Sequence, residues 1–547
     1  IGADSRQSEC EERGLLVTRT QSIVGVVAGN VCAGLLLAWA DGKGFTPYAW
    51  FSYSVLLTIC LAAVLLVFTT LQGQGAPRRI LWLAVGALAL RLVVGLALAR
   101  TLPDFGYDEN AQNRGYVFYD AYKRDTDSWQ RAQGDLPLLA SFTDPRGSDQ
   151  YGGLLLVSAG TYRILGGNVH RPLQVVILTA AASALGLLFI WGFANAIWGR
   201  KVGDVAAWFV LLTPEAILLG ASQMREAFLI LGMAMALYGY SRSRRDRRAS
   251  SVAWLVGGLL VLLFFSPPTA LVGAVVVWTA ALWEGKDGPR IPRWVLWLGV
   301  PVAIAGLVLA VQSWARLEQI TGTFGQIIVQ WWENAGAAWR LGQVAAGSDM
   351  LQATLDKLPD ALRLPFLVGY GLVQPFLPAA IASSGNGLWQ GIAILRALGW
   401  FAFIPLLIYG TVAAISKQGW RSLEAYLGIV VWVSALLASY RAPGYQWDNP
   451  RYRAVFLAAQ ASLAAWAWVV SRSEPTPWLK RIYACLGLAT LLVLQWYLGR
   501  RVGLPSLNLE GTLVATMGAV AAYLLVGVYR DRRTRSTAKP KEPPTDV

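Results

Sequence analysis

Charge is scarce in this sequence. Of its 547 residues, 14% are Asp, Glu, Lys or Arg and 55% are hydrophobic, whereas an ordinary soluble domain is about one quarter charged. So few charged side chains cannot cover a water-facing surface. The composition therefore excludes a soluble domain and calls for lipid around the chain. Histidine is all but missing. The single His170 rules out a metal centre built on several imidazoles and leaves open one held by carboxylates. Cysteine is equally sparse: Cys10, Cys32, Cys60 and Cys485 are scattered, three of them in or beside apolar runs, with no CxxC pair. Neither a disulfide framework nor a thiolate metal site is expected.

What the sequence has instead is long apolar runs, 25 Trp residues and a net charge of +15. Trp concentrates at membrane–water boundaries, where its ring is apolar and its N–H stays wet. The Lys and Arg residues stand in short clusters between apolar runs rather than along one face, so the charge fits positive-inside topology and not nucleic-acid binding.

A spanning helix needs about 20 mainly apolar residues. Runs that qualify lie at 21–40, 49–71, 80–102, 171–195, 204–220, 225–240, 252–265, 269–284, 294–314, 389–412, 424–440, 453–470, 482–498 and 510–529. The expected fold is all-α, a polytopic transmembrane helical bundle of about fourteen spans with interfacial helices on its outer side. Two apolar stretches are left out of the count. Residues 152–165 are too short, and 365–381 are broken by Gln374, Pro375 and Pro378. Treating both as interfacial or re-entrant puts Arg78–Arg79, Arg200–Lys201, Arg242 to Arg248, Lys286 to Arg293, Lys417 and Arg421 on the cytoplasmic side. Arg500 and Arg501 fall against the rule, as do the outer arginines Arg441, Arg451 and Arg453.

Five segments follow. An N-terminal cytoplasmic segment with two extra spans covers 1–79, and a module containing the outer loop 103–151 covers 80–314. A second outer loop and re-entrant segment cover 315–388, C-terminal spans cover 389–529, and a basic cytoplasmic tail covers 530–547. Both termini are placed in the cytoplasm of a plasma (inner) membrane protein. The halves show no sequence repeat, which weighs against inverted-repeat transporters.

Polar residues collect at the outer surface in three places. The first loop carries the adjacent carboxylates Asp108 and Glu109, about six residues after the third span, and closes on Asp149 and Tyr151. A carboxylate there has the chemistry of a general base towards an acceptor hydroxyl. The second place is the turn Ser222-Gln223-Met224-Arg225-Glu226. The third is Arg441 with Asp448-Asn449-Pro450-Arg451-Tyr452-Arg453. An arginine at a membrane boundary is costly unless paired or serving a ligand. It can pair with a neighbour such as Glu226, or grip a phosphate by two parallel hydrogen bonds. His170, before Arg171-Pro172, is read as a local hydrogen-bonding residue rather than a catalyst, and Arg91, in mid-span, calls for an acid or a polar cavity.

These motifs resemble the GT-C class of membrane glycosyltransferases. The similarity lies in a Tyr107-Asp108-Glu109 loop after a span, an interfacial helix, a span ending Trp198-Gly199-Arg200-Lys201, and Thr213-Pro214 followed by Ser222-Gln223-Met224-Arg225. It is strongest to bacterial family 39-like, protein mannosyltransferase-related enzymes and covers about residues 80–250. The resemblance implies a GT-C-like fold and an active site facing the outside or periplasm. The donor would be a sugar on a polyprenyl phosphate, and the acceptor a protein, lipid or glycan. Asp108 would be the catalytic base with Glu109 its alternate, and Arg225, Arg451 and Arg453 would contact the donor phosphate. Asp149, Tyr151, Gln223, Arg441 and Tyr452 complete the expected substrate-binding set. No metal ligand is assigned, though a divalent cation, Mg or Mn, is compatible with the class. Two extra spans before the module, and Gln150-Tyr151-Gly152-Gly153 where the class usually has Pro-Pro, are departures.

Two other readings share these features. A surface-polysaccharide polymerase or ligase of related fold would use the arginines and spare Asp108, whereas a lipid or solute transporter would need charged pairs near mid-membrane. The topology is checked by cysteine labelling. A cysteine at Gln130 is expected to react with an impermeant reagent from outside, and one at Asp246 only after permeabilisation. The opposite pattern inverts the bundle.

Overall fold

In a computed structural model the described residues are 28–143, 149, 151–245, 249–284, 355–356, 358–383, 385–442, 447–474 and 476–537, with scattered positions between 297 and 330. Among them every regular element is a helix and none is a strand. The expected span 294–314 and second outer loop 315–363 lie largely outside these residues, as do the cluster Lys286 to Arg293, the ends of the chain, and Ser148 and Gln150. The chain divides into two compact units, residues 1–341 with 451–462 and residues 342–450 with 463–547.

The first unit contains α1 (Ala28–Ala40), α2 (Pro47–Gln72), α3 (Arg78–Phe105), α4 (Tyr119–Gln133), α5 (Gly153–Leu165), α6 (Leu173–Trp198), α7 (Arg200–Leu212), α8 (Pro214–Gly220), α9 (Glu226–Arg245), α10 (Ala249–Phe265) and α11 (Pro267–Glu284). Helix α6 is apolar on every face, and such a helix belongs inside a bundle. It is buried along almost its whole length between α2, α3, α7 and α9. Helices α9 and α10 meet backbone to backbone. A Cβ at Gly239 would lie 2.2 Å from the Leu255 nitrogen, and one at Gly258 would lie 2.4 Å from that of Ala236. Only glycine permits so close an approach.

The second unit contains α12 (Asp360–Leu372), α13 (Leu377–Ala382), α14 (Gly387–Ala413) and α15 (Leu423–Arg441). Helices α16 (Asp448–Ala454) and α17 (Leu457–Ser473) have residues in both units, and α18 (Trp478–Val502) and α19 (Leu509–Thr537) complete the second. Neither α12 nor α13 is long enough to cross, and the break between them contains Gln374–Pro375. Helices α18 and α19 form a hairpin with little buried surface, closed by a bidentate pair in which Arg481 donates to Asp531 at 2.7 and 2.8 Å.

This is a helical membrane protein, but the expected fourteen spans are not reached among the described residues. Seven helices are long and apolar enough: α2, α3, α6, α14 with its continuation to Gln418, α15, α18 and α19. The count rises to nine if each bent pair, α7–α8 at 61° and α16–α17 at 76°, is one span. Helices α1 and α10 fall short in length.

Arg91, in the middle of α3, corrects a second expectation. It is fully buried, yet its partners are carbonyls rather than an acid or a cavity: Nη1 donates to Ala87 at 3.1 Å and Nη2 to Val210 at 3.2 Å. Val210 is four residues before Pro214, which has no N–H to return to it. Arg91 thus supplies the donor that the α7–α8 break removes. Arg91→Leu is expected to lower the melting temperature, because an unmet buried carbonyl costs about 1–3 kcal/mol. Pro214→Ala, which restores a backbone N–H opposite Val210, is expected to recover part of that loss. No recovery in the double variant would show that Arg91 stabilises by some other contact.

Candidate functional site

The polar region of the first unit is built on α4 and the turn before α9. On α4, Asp120 and Arg124 stand one turn apart on one stripe and bond to each other, Nη2 to Oδ2, at 3.3 Å. Asp125 stands on the neighbouring stripe, facing α5. Beyond α4 the chain turns at Gly152, whose φ of +76° and missing Cβ, which would fall 2.2 Å from the Ser141 carbonyl oxygen, both require glycine. That turn places Asp149 under the first turn of α5. There its Oδ2 accepts from the Leu155 N–H at 2.9 Å, a carboxylate at a helix N-terminus.

Six charged side chains gather here. Arg451 donates from Nη1 to Asp120 at 3.0 Å and lies 3.2 Å through Nε from Glu226, which opens α9. Arg225 stands 4.9 Å over the ring of Tyr151, and its Nη1 is 3.9 Å from Asp149 Oδ1, too far for a hydrogen bond. Arg124, fully buried, feels the charges of Arg225, Glu226, Asp120 and Asp149. Three arginines thus face three carboxylates, and the group is neutral as a whole. Burial alone would make Asp120 harder to ionise. Arg124 and Arg451 outweigh it and hold the carboxyl below the ordinary carboxylate value.

Next to this network, in the same unit, is a cleft of about 510 Å³. Its wall includes Lys43, Arg100, Asn113, Arg114, Tyr116, Tyr122, His170, Ser222 and Gln223. The one carboxylate in the wall, Asp41, is taken by Arg171. Arg114 lies 5.6 Å over the ring of Tyr122, and Arg100 donates through Nε to the Ala40 carbonyl at 2.9 Å. Lys43, Arg100 and Arg114 have no carboxylate partner among the described residues. The cleft is accordingly positive.

The structure brings together Asp149, Tyr151, Arg225 and Arg451 of the residues expected from sequence, and it puts Gln223 in the cleft wall, donating to the Pro172 carbonyl at 3.2 Å. Arg453 is buried and Tyr452 half-buried, with Arg451 over the Tyr452 ring at 5.4 Å. Asp108 and Glu109 are exposed and outside the cleft wall. Asp108 accepts at 2.8 Å from Asn113, which lies in the wall. Arg441 is exposed at the end of α15, in the second unit. Asp120, Arg124 and the cleft cations Lys43, Arg100 and Arg114 were not among the expected site residues. The four-residue spacing of Asp120 and Arg124 is a usable signal for the first two, and no motif marks the others. Among the described residues no three of His, Cys, Asp and Glu gather as metal ligands.

No family model and no curated protein matches the chain. Solved structures of the oligosaccharyltransferase of the archaeon Archaeoglobus fulgidus are similar to it at low identity. The apo form is 14% identical with a TM-score of 0.37, over 81% of this chain and 54% of that one. AglB of the same organism with an inhibitory peptide and a dolichol-phosphate is 12% identical with a TM-score of 0.33, over 81% and 54%. The complex with Zn and sulfate is 13% identical with a TM-score of 0.38, over 75% and 52%. The chain thus spans about half the length of these structures. So loose an overlap of helical bundles leaves the functional argument to the cleft itself.

The depressed Asp120 carboxyl sets a pH test. A group whose folded value lies below its unfolded one adds stability above the unfolded value, and that stability is lost as pH falls through the folded one. Asp120→Asn is therefore expected to melt lower than the wild type at neutral pH. The gap is expected to close as pH drops below about 4, the ordinary carboxylate value. A gap independent of pH would mean that the Asp120 charge is not what stabilises.

Proposed function

We propose that this protein is a membrane glycosyltransferase that moves a sugar from a polyprenyl-phosphate donor to an acceptor hydroxyl at the outer face of the membrane. The observation that carries the reading is the cleft: about 510 Å³, polar-walled and lined by Lys43, Arg100 and Arg114, none of which has a carboxylate partner among the described residues. A phosphate leaving group gathers negative charge as the glycosidic bond breaks, and cations already in place stabilise that charge without rearranging. Attack by the acceptor from the opposite side inverts the anomeric carbon. The outer placement rests on the charge rule, and the resemblance of the 80–250 module to GT-C enzymes supports the donor class.

This reading moves the donor phosphate away from Arg451, whose guanidinium is already shared by Asp120 and Glu226, and gives it to the cleft cations. Arg225, loosely held between Asp149 and Tyr151, stays beside them in the chain, two residues after Gln223.

In purified protein, Lys43→Gln, Arg100→Gln and Arg114→Gln are each expected to raise the KM for a polyprenyl-phosphate sugar by roughly tenfold or more, since a charged hydrogen bond contributes about 1.5–3 kcal/mol. Their melting temperatures should stay near the wild type. Arg451→Lys should do the reverse, lowering the melting temperature with little change in donor KM. Unchanged donor KM in all three cleft variants would remove the phosphate site, and with it the argument for a lipid-phosphate donor.

A further inference from the structure

The cleft wall contains the one imidazole of the chain, and behind it is a carboxylate surrounded by protein donors. Asp125 is fully buried. A buried carboxylate is costly unless its oxygens are met by donors. Here the Tyr116 hydroxyl donates to Oδ2 at 2.6 Å and the Tyr162 hydroxyl to Oδ1. Burial first, and the Asp125 charge second, push the Tyr116 phenol well above its ordinary value, so it stays a donor. The third group at the carboxylate is His170, whose Nε2 is 2.8 Å from Oδ2 in a contact that is electrostatic rather than a well-aligned hydrogen bond.

The imidazole is also held mechanically. Its ring stacks on Trp129, with centroids 5.0 Å apart and planes 20° apart, and Tyr162 meets its face edge-on at 5.1 Å. With Nε2 facing Asp125, the other nitrogen, Nδ1, has no protein partner among the described residues, and the side chain keeps 26% of its surface exposed, at the cleft. A carboxylate at one imidazole nitrogen keeps the proton there and leaves the other nitrogen as an acceptor.

We infer that the Asp125–His170 pair is the proton acceptor of the cleft, with Nδ1 taking the proton of the incoming acceptor hydroxyl. This deepens the transferase reading and rests on it. In the step, the acceptor O–H bond breaks and its proton goes to Nδ1, while the oxygen forms a bond to the anomeric carbon. The bond from that carbon to the phosphate oxygen breaks, and its electron pair leaves on the phosphate, beside Lys43, Arg100 and Arg114. The imidazolium is held at Nε2 by Asp125 and returns its proton to water once the product has left.

Because the chain has one histidine, protein made with ¹⁵N-histidine gives a single imidazole to follow by NMR in nanodiscs, whether or not any activity is known. The neutral ring is expected as the Nε2–H tautomer, and Asp125→Asn is expected to yield a mixture. A ring carrying its proton on Nδ1 overturns the inference. With a polyprenyl-phosphate sugar and an acceptor, His170→Gln is expected to lower transfer by about 10²–10⁴-fold. His170→Ala, which leaves a ring-sized space beside Trp129, is expected to regain part of the rate with added imidazole, increasingly as pH rises and the free imidazole becomes neutral. A residue of purely structural use would lower the melting temperature without such rescue. Full transfer by His170→Gln overturns the inference, and so does a failure of rescue accompanied by equal losses in Asp108→Asn or Glu109→Gln, which would give the proton to the loop carboxylates. If the wild type transfers no sugar while the tautomer is as expected, the transferase reading is what fails, and the reaction assigned to the pair goes with it.

Discussion

A guanidinium taken out of water must find its partners inside the protein, and that requirement governs how this chain is put together. The cost of burying an ion amounts to several kcal/mol unless geometry and hydrogen bonds return it. The structure meets the requirement in different ways. Arg91 uses two backbone carbonyls, one of them left without a donor by Pro214. Arg171 uses Asp41 and the Gly44 carbonyl, Arg451 uses Asp120 and Glu226, and Arg481 closes the α18–α19 hairpin on Asp531. Each pairing ties together elements far apart in sequence, so these side chains fix tertiary structure where apolar packing against lipid gives little preference for one arrangement over another.

The same requirement sorts the cations into those that hold the fold and those left over for chemistry. An arginine committed to two carboxylates has little to offer a phosphate, because a ligand would have to displace charges already in contact. The network of Asp120, Arg124, Asp149, Arg225, Glu226 and Arg451 is neutral among its six members, and its field falls off quickly outside it. Lys43, Arg100 and Arg114 are different. Exposed at the cleft, they lose little hydration on folding and have no carboxylate partner among the described residues. The division is physical, and it does not follow motif boundaries: Arg225 and Arg451 belong to the recognisable turns, whereas Lys43 and Arg100 belong to none.

Much of the helical architecture could be read from the sequence, because membrane helices announce themselves by length and apolarity. The runs at 49–71, 80–102, 171–195, 389–412, 424–440, 482–498 and 510–529 each correspond to a helix long enough to cross. Breaks were harder. The run at 204–220 is continuous in hydropathy, yet Pro214 bends it by 61°, and a count of apolar runs cannot tell one bent crossing from two short helices. The site was legible only in pieces. Asp149, Tyr151, Gln223 and Arg225 stand near one another in the polar turns. The pairing of Arg451 with Asp120 bridges 331 positions, and no local pattern foretells it. His170 looked ordinary because its partner Asp125 comes from the helix before the preceding one, and a single imidazole shows a role only once its neighbours are known.

The two halves of the polar region make sense together. A neutral ion-pair network beside a charged cleft gives α4, α5 and the start of α9 a rigid polar floor in surroundings that would otherwise disfavour any charge. On such a floor a few exposed cations can stay uncompensated without destabilising the fold, since their charge is screened by water until a ligand enters. When an anionic group displaces that water, the local dielectric falls and the attraction rises with it. The counter-charge that the protein withholds from Lys43, Arg100 and Arg114 must then come from the ligand, and the imidazole in the same wall is placed to respond to whatever that ligand brings beside it.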